Sequence, residues 1–275
     1  MASQIHRELL TLSTSKPFKV CLLTKRSVAD EASISQLRAF DILISTPARL
    51  CHAVEHESLD LTSVLHLVLD EADKLLEEDS FLAQIDTIFA ECTNDNLQKS
   101  MFSATMPSTI ETLATSVMRD PIRLIIGNKE GATTTIDQKL TFVSDESGKL
   151  LAIRQLLTAG IKPPVLVFVQ SIDRAKSLFN DLVYENINVD VIHSGRTKLQ
   201  RDNIISNFRR GNIWVLICTE LMGRGIDFKG VNLVLNYDFP QSVQSYVHRI
   251  GTSSFLNLFD VNLVGGACVS SAGAF

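Results

Sequence analysis

Short apolar runs separated by amphipathic stretches recur along almost the whole chain, and this alternation constrains the fold more than any other feature. Segments 41–45, 64–69, 100–103, Val165–Val169, Val189–Ile192, 214–218 and Leu233–Asn236 are short and rich in branched side chains. They read as strands buried on both faces of a sheet. Helical spacing lies between them. Phe81, Ile85, Ile88 and Phe89 fall on one helical face, as do Ala175, Leu178, Phe179 and Leu182. Ser108 and Glu111 form a capping-box pattern ahead of Ile110, Leu113, Ala114 and Val117. Strand, helix and strand in succession predict parallel sheets with crossover helices, so the fold class is α/β.

A chain of 275 residues has room for two modest domains. Segment 127–136 is polar, holds Gly127 and Gly131 and has no apolar period, which marks it as a linker between 1–126 and 137–251. Beyond Gly251 the composition shifts: 252–275 has no Lys or Arg and ends in small residues, and a poorly ordered tail is expected there. At 45% hydrophobic and 21% charged the chain can bury a real core, which excludes wholesale disorder. No apolar run reaches the length of a membrane span, and the first residues carry no signal-peptide h-region. A net charge of −5 means that any nucleic-acid site rests on local basic groups. Cys21, Cys51, Cys92, Cys218 and Cys268 are scattered without ligand spacing, so they read as small buried hydrophobes in a reducing compartment rather than a metal site.

The chemistry concentrates at the ends of the strand-like runs, where parallel sheets bind ligands. Asp70-Glu71-Ala72-Asp73 directly follows one run. Two adjacent carboxylates there suit a hydrated Mg²⁺ that shares its shell with substrate phosphates, with Asp70 holding the metal through water. Glu71 can orient and deprotonate an attacking water. An acidic loop capping the next helix would look the same. Ser103-Ala104-Thr105 ends another run, and its hydroxyls can bond a carboxylate from the neighbouring strand end; alone it is an N-cap. Thr46, Pro47 and Arg49 could bind a phosphate, or form a turn beside a surface arginine. Thr219, Arg224, Gly225 and Asp227 supply donor, cation, close backbone approach and acceptor, or a surface ion pair. His248 and Arg249 close a helical stretch, where basic residues are also common for dipole reasons.

In this order, Thr-Pro-x-Arg, Asp-Glu-Ala-Asp, Ser-Ala-Thr, Thr-x-x-x-x-Arg-Gly-x-Asp and His-Arg-Ile-Gly, the motifs resemble the DEAD-box ATP-dependent RNA helicases across residues 2–251. Segments 162–171, 213–219 and 225–234 resemble the member that serves small-subunit ribosome biogenesis. The resemblance implies two RecA-like parallel-sheet domains, the first incomplete, that close over RNA and ATP. It implies ATP and Mg²⁺ at Asp70 and Glu71, and nucleotide contacts by Asp227 and Arg249. Asp73, Ser103, Thr105 and His248 would couple hydrolysis to closure. Thr46, Pro47, Arg49, Arg201, Thr219, Arg224 and Gly225 would contact the RNA backbone. It further implies pre-rRNA as substrate, ribosome-assembly proteins as partners, a nuclear, nucleolar location, no DNA specificity and no membrane.

The departures from the family pattern matter equally. The chain has no Gly-x-x-x-x-Gly-Lys-Ser/Thr loop: its one Gly-Lys pair, Gly148-Lys149, is followed by Leu150, and Val143 stands where the first glycine belongs. Ala2 resembles the last residue of the family's Pro-Thr-Arg-Glu-Leu-Ala element. Thr252 and Phe255 stand at the two arginine-finger positions, and Lys198 replaces a glutamine three residues before Arg201. A helicase piece truncated at both ends is therefore expected, with 252–275 unrelated to it. Such a chain would be inactive alone, or act as an ATP-independent fragment that binds RNA or a partner.

Overall fold

The computed structural model describes residues 1–24, 37, 39–57, 59–126, 136–160, 162–220, 226, 228, 230–251 and 259–265. They divide into two compact units, Met1–Leu124 and Ile125–Phe275. Most of segment 127–136 lies outside the described residues, as do Arg224, Gly225, Asp227, Thr252 and Phe255.

The first unit runs α1 (Ala2–Leu12), β1 (Val20–Leu22), β2 (Ile42–Ile44), α2 (Pro47–Glu57), β3 (His66–Asp70), α3 (Ala72–Glu77), α4 (Asp79–Glu91), β4 (Gln98–Phe102) and α5 (Ser108–Val117). Its strands form two separate parallel pairs, β1 with β2 and β3 with β4. The core lies on one side of β3, where Leu69 meets Ala72, Leu76, Ile85, Ile88, Ile110 and Ala114. The expectation of strands buried on both faces fails here. Val68 is 58% exposed and Phe102 59%, because side chains alternate along a strand and helices cover only the face that carries Leu69. The capping box at Ser108 also does not form. Pro107 is the N-cap without a side-chain bond, and Glu111 pairs instead with Arg123.

The second unit runs β5 (Asp137–Val143), α6 (Glu146–Thr158), β6 (Val165–Val169), α7 (Ile172–Tyr184), β7 (Val189–Ile192), α8 (Lys198–Arg209), β8 (Val215–Thr219), β9 (Leu233–Asn236), α9 (Val243–Gly251) and β10 (Phe259–Gly265). All six strands form one parallel sheet in the order β5-β10-β9-β6-β8-β7. Alternate residues supply two cores, one around Val165, Val167, Val169 and Ile217, the other around Leu166, Phe168, Leu216 and Phe228. Helix starts are well capped. Asp145 accepts from the Gly148 amide at 2.8 Å, and Thr197 with Gln200 forms a complete capping box on α8.

The disordered-tail expectation is corrected for Phe259–Gly265, which is a strand inserted between β5 and β9. The composition of 252–275 pointed to a loose tail, yet Asp260 is fully buried and satisfied. Tyr246 donates its hydroxyl to Asp260 Oδ2 at 2.6 Å, Asn262 Nδ2 donates at 2.9 Å, and Asn236 Nδ2 donates to Oδ1 at 3.0 Å. Buried polar groups with partners cost little, and they fix strand register.

Candidate functional site

Parallel pairing of β3 with β4 sets Asp70 opposite Phe102, so 70–73 and 103–105 leave the sheet side by side. Glu71 has φ 52° and ψ 50°, a left-handed conformation that is strained for a residue with a Cβ. It turns the chain sharply from β3 into α3, and its amide donates to Asp70 Oδ1 at 3.0 Å. Asp73 is 5% exposed. Thr105 donates its hydroxyl to Asp73 Oδ2 at 2.5 Å, the inter-strand hydroxyl–carboxylate bond that the strand ends allow. Ser103 braces the same turn, donating to the Thr105 carbonyl at 2.6 Å and accepting from its amide at 3.3 Å. Glu71 Oε2 is buried with no hydrogen-bond partner among the described residues.

On the same unit, Thr46 follows β2 and opens α2. Its carbonyl accepts from the Arg49 amide at 3.1 Å and from the Leu50 amide at 3.0 Å. Pro47 takes the first helical position, where a missing N–H does no harm. Arg49 Nη1 stands 3.2 Å from His52 Nδ1. A cation and an exposed hydroxyl thus sit at the start of a helix, an arrangement suited to phosphate.

In the second unit Thr219 ends β8 and is 7% exposed, while Arg201 lies in the first turns of α8. His248 and Arg249 occupy the last turn of α9 but differ in setting, His248 half-buried and Arg249 2% exposed. The side chain expected to contact nucleotide, Arg249, is engaged inside the unit in this structure. Its guanidinium donates to Asn236 Oδ1 at 3.0 Å, to the Asp238 carbonyl at 2.8 Å and to Glu220 Oε2 at 3.3 Å. It also lies over the Phe168 ring. Burial pulls its pKa below the ordinary arginine value, with Glu220 opposing. Arg249 ties α9 to the ends of β8 and β9.

Sequence reasoning missed a charged hub centred on Asp238. Arg174 Nε donates to Asp238 Oδ2 at 2.6 Å, the Gln170 amide donates at 2.9 Å, and Lys149 Nζ reaches Oδ1 at 3.1 Å. Arg174 also bonds Glu146 at 2.5 Å. Burial works to raise the Asp238 pKa, but Arg174, the Gln170 amide and Lys149 hold it below the usual carboxylate value. Burial and Glu146 push the Tyr237 phenol up. The available signals were the Glu146-x-x-Lys149 spacing and a carboxylate two residues past a strand end.

A magnesium ion fits the first-unit edge in one respect. Among the described residues no group of three acidic, His or Cys side chains could cage a metal, and Mg²⁺ is commonly held by one or two carboxylates plus phosphates and water. Asp70, at the strand end, is such a carboxylate.

Comparison with known proteins agrees with this layout. Residues 1–113 match the family model described as DEAD/DEAH box helicase, and residues 148–252 match the helicase conserved C-terminal domain. The chain is 52% identical over 254 residues to the ATP-dependent RNA helicase ROK1 of Scheffersomyces stipitis, covering 91% of this chain and 45% of that protein. It is 50% identical over 251 residues to a probable ATP-dependent RNA helicase, ddx52, of Dictyostelium discoideum, covering 91% of this chain and 37% of that one. The chain thus spans less than half the length of these curated relatives. Among solved structures it resembles S. cerevisiae Dbp5 bound to RNA and ADP BeF3, with a TM-score of 0.82 at 22% identity over 96% of this chain and 68% of that one. That likeness shows the fold, two RecA-like parallel-sheet domains.

Proposed function

The chain belongs to the DEAD-box family of ATP-dependent RNA helicases, and from that premise we propose that it serves RNA remodelling, with pre-rRNA of the small ribosomal subunit as substrate and the nucleolus as its place of work. The observation that carries this reading is the Thr105–Asp73 bond. It joins the acidic tetrapeptide to the Ser-Ala-Thr turn across adjacent strand ends, so a change at one carboxylate is felt by the next loop.

In this proposal Asp70 holds Mg²⁺ through water, which would neutralise phosphate charge when bound. Glu71 orients an attacking water and takes its proton, using the carboxylate oxygen that has no partner among the described residues. Asp73, Ser103 and Thr105 keep the turn rigid, and His248 takes part in coupling. Thr46, Pro47 and Arg49 contact RNA phosphates on one unit, and Arg201, Thr219, Arg224 and Gly225 on the other. Such contacts read backbone rather than sequence. Asp227 serves the nucleotide. The sequence holds no phosphate-cradling loop, and Thr252 and Phe255 cannot act as arginine fingers. An arginine finger alone contributes about 10³–10⁵ in rate in related nucleotidases. We therefore propose that this chain by itself binds RNA without turning over ATP.

The test is RNA-stimulated ATP turnover of residues 1–275 beside Glu71→Gln, with RNA binding followed in parallel for Arg49→Ala. The expected result is no turnover in either protein and RNA binding that weakens about 3-fold or more in Arg49→Ala, the scale of one charged phosphate contact. Turnover abolished by Glu71→Gln would show that other residues replace the missing cradle and fingers.

A further inference from the structure

The two edges of the second unit's sheet differ in chemistry. The carboxyl edge carries Glu146, Glu220 and Asp238, with the cations that neutralise them. Around β6 to β9 the amino edge is formed by loops 162–164, 186–188, 210–214 and 230–232, which hold Lys162, Arg210 and four asparagines, while the carboxylates Glu185 and Asp137 lie beside loop 186–188 and at the start of β5. Amid these loops is Trp214, the chain's single tryptophan. Sheet order places β8 between β6 and β7, so loops 162–164 and 186–188 flank Trp214 at about one strand spacing, ~5 Å, on either side.

Trp214 is anchored but not buried. Its amide donates to the Asn188 carbonyl at 2.8 Å, and its own carbonyl accepts from the Val165 amide at 2.8 Å, which pins its backbone to both neighbours. Its side chain nonetheless leaves the residue 47% exposed, and Tyr184, at the end of α7, is 88% exposed. Asn232 Nδ2 donates to the Pro163 carbonyl at 2.7 Å, which stiffens the adjoining loop. Lys162, Asn188, Arg210 and Asn212 are all exposed. A half-exposed indole on a fixed backbone loses little freedom when it stacks on a flat ligand, and nearby Lys and Arg suit phosphates. That combination of aromatic platform and cations is how single-stranded nucleic acid is held without regard to sequence. An aromatic side chain with cations could also seat an acidic peptide, but the exposed Asn186, Asn188 and Asn212, each carrying a donor and an acceptor, match base edges and sugar hydroxyls better.

We propose that the amino edge of the second unit is an additional single-stranded RNA contact, with a base stacked on Trp214 and phosphates held by Lys162 and Arg210. The choice of RNA as ligand rests on the RNA-remodelling reading above, whereas the site is separate from every residue that reading uses. It would hold a strand segment outside the carboxyl-edge contacts and lengthen the footprint of the protein on RNA.

Because the chain has one tryptophan, its intrinsic emission reports on this site alone. Residues 1–275 are titrated with a ten-nucleotide oligouridine while Trp214 emission and the anisotropy of labelled RNA are both recorded. We expect saturable quenching whose midpoint moves about 3-fold or more in Arg210→Ala. Trp214→Ala is expected to weaken binding by anisotropy about 5-fold or more, and Trp214→Phe to restore most of it, since one base–aromatic stack accounts for a change of that size. Binding by anisotropy with unchanged Trp214 emission and no effect of Trp214→Ala would overturn this site and leave the carboxyl-edge reading standing. Quenching by an acidic decapeptide but not by oligouridine would overturn it in favour of a protein partner. No RNA binding by either signal would overturn both.

Discussion

The two units are written in the same alternation of strand and helix, yet they use it differently. In the second, β6, β8 and β9 are buried at every position, each flanked by strands on both sides. In the first, β3 and β4 together have one buried residue, Leu69. β4, Gln98-Lys-Ser-Met-Phe, is more polar than β6, β8 and β9, but the Leu67-Val-Leu69 run of β3 has the same residues as Leu233-Val-Leu235 of β9. Burial is therefore a property of the neighbours, because a strand loses solvent on both faces only when helices and flanking strands cover it. Each large apolar side chain left outside forgoes about 1.5–3 kcal/mol of transfer free energy. Val68 and Phe102 flank Asp70 in just this way, so the first unit keeps its acidic edge on a strand pair less protected than the six-stranded sheet.

The largest consequence should appear in local stability. Amides of β6, β8 and β9 are expected to exchange with deuterium about 100-fold or more slowly than those of β3 and β4, since exchange from well-covered strands needs near-global opening. Exchange measured by mass spectrometry over these peptides decides the point, and equal protection in the two units would break the comparison.

Next in size is Arg249→Ala. The substitution removes the donor that Asn236 and the Asp238 carbonyl share, while Glu220 stays partly exposed to water, and each buried acceptor left unsatisfied costs about 1–3 kcal/mol. The melting temperature of the second unit should fall sharply while exchange in α2 and α4 stays as it was. A small effect on folding combined with a large loss of nucleotide affinity would show that Arg249 serves the nucleotide rather than the core.

Arg249 also shows what a sequence can and cannot convey. The strands 41–45, 64–69 and Leu233–Asn236 were legible because their branched runs have no competing helical period, and so was the juxtaposition of Asp73 with Thr105, which follows from parallel strand ends. Depth was not legible. Arg249 looks like a ligand for phosphate in one dimension, and only the placement of Asn236 and Glu220 around it makes it a core residue. β10 failed for the reverse reason: Asp260 and Asn262 break its apolar pattern, and nothing local reveals that Tyr246 and Asn236 await them. β5 was missed because its apolar and polar residues alternate at an edge, with Leu140 and Phe142 left exposed. Asp238 lay outside every motif because its partners come from α6 and α7, far away in sequence.

A smaller effect is expected from Thr105→Val, which keeps the shape of the side chain and deletes the hydroxyl that Asp73 accepts. Bonds to a charged group are worth about 1.5–3 kcal/mol, and the loss should be confined to the first unit. Denaturant unfolding followed by exchange in α3 and β4 measures it. If the second unit were destabilised equally, the two could not be treated as separately stabilised bodies.

The smallest effect is in pH dependence, and it separates two carboxylates of the second unit. Burial raises the Asp260 pKa above the ordinary carboxylate value, although Tyr246, Asn262, Arg249 and Asn236 work to lower it. A native state that holds this proton more tightly than the unfolded chain gains stability that is fully present below the ordinary value of about 3.9, and that gain is lost as pH rises through the native pKa. Asp238 has the opposite sign. Arg174, Gln170 and Lys149 hold it below the ordinary value despite burial, so its contribution is present above about 3.9 and is lost as pH falls. Between about pH 4 and neutrality, then, Asp260 makes the second unit less stable as pH rises, while Asp238 adds nearly nothing to the slope. Asp260→Asn should flatten the fall in melting temperature over that interval, by a few degrees at most, and Asp238→Asn should leave the slope alone while lowering the whole curve. A slope unchanged by Asp260→Asn would mean that β10 does not hold its carboxyl inside the sheet, and the closed six-stranded side of the comparison would lose a strand.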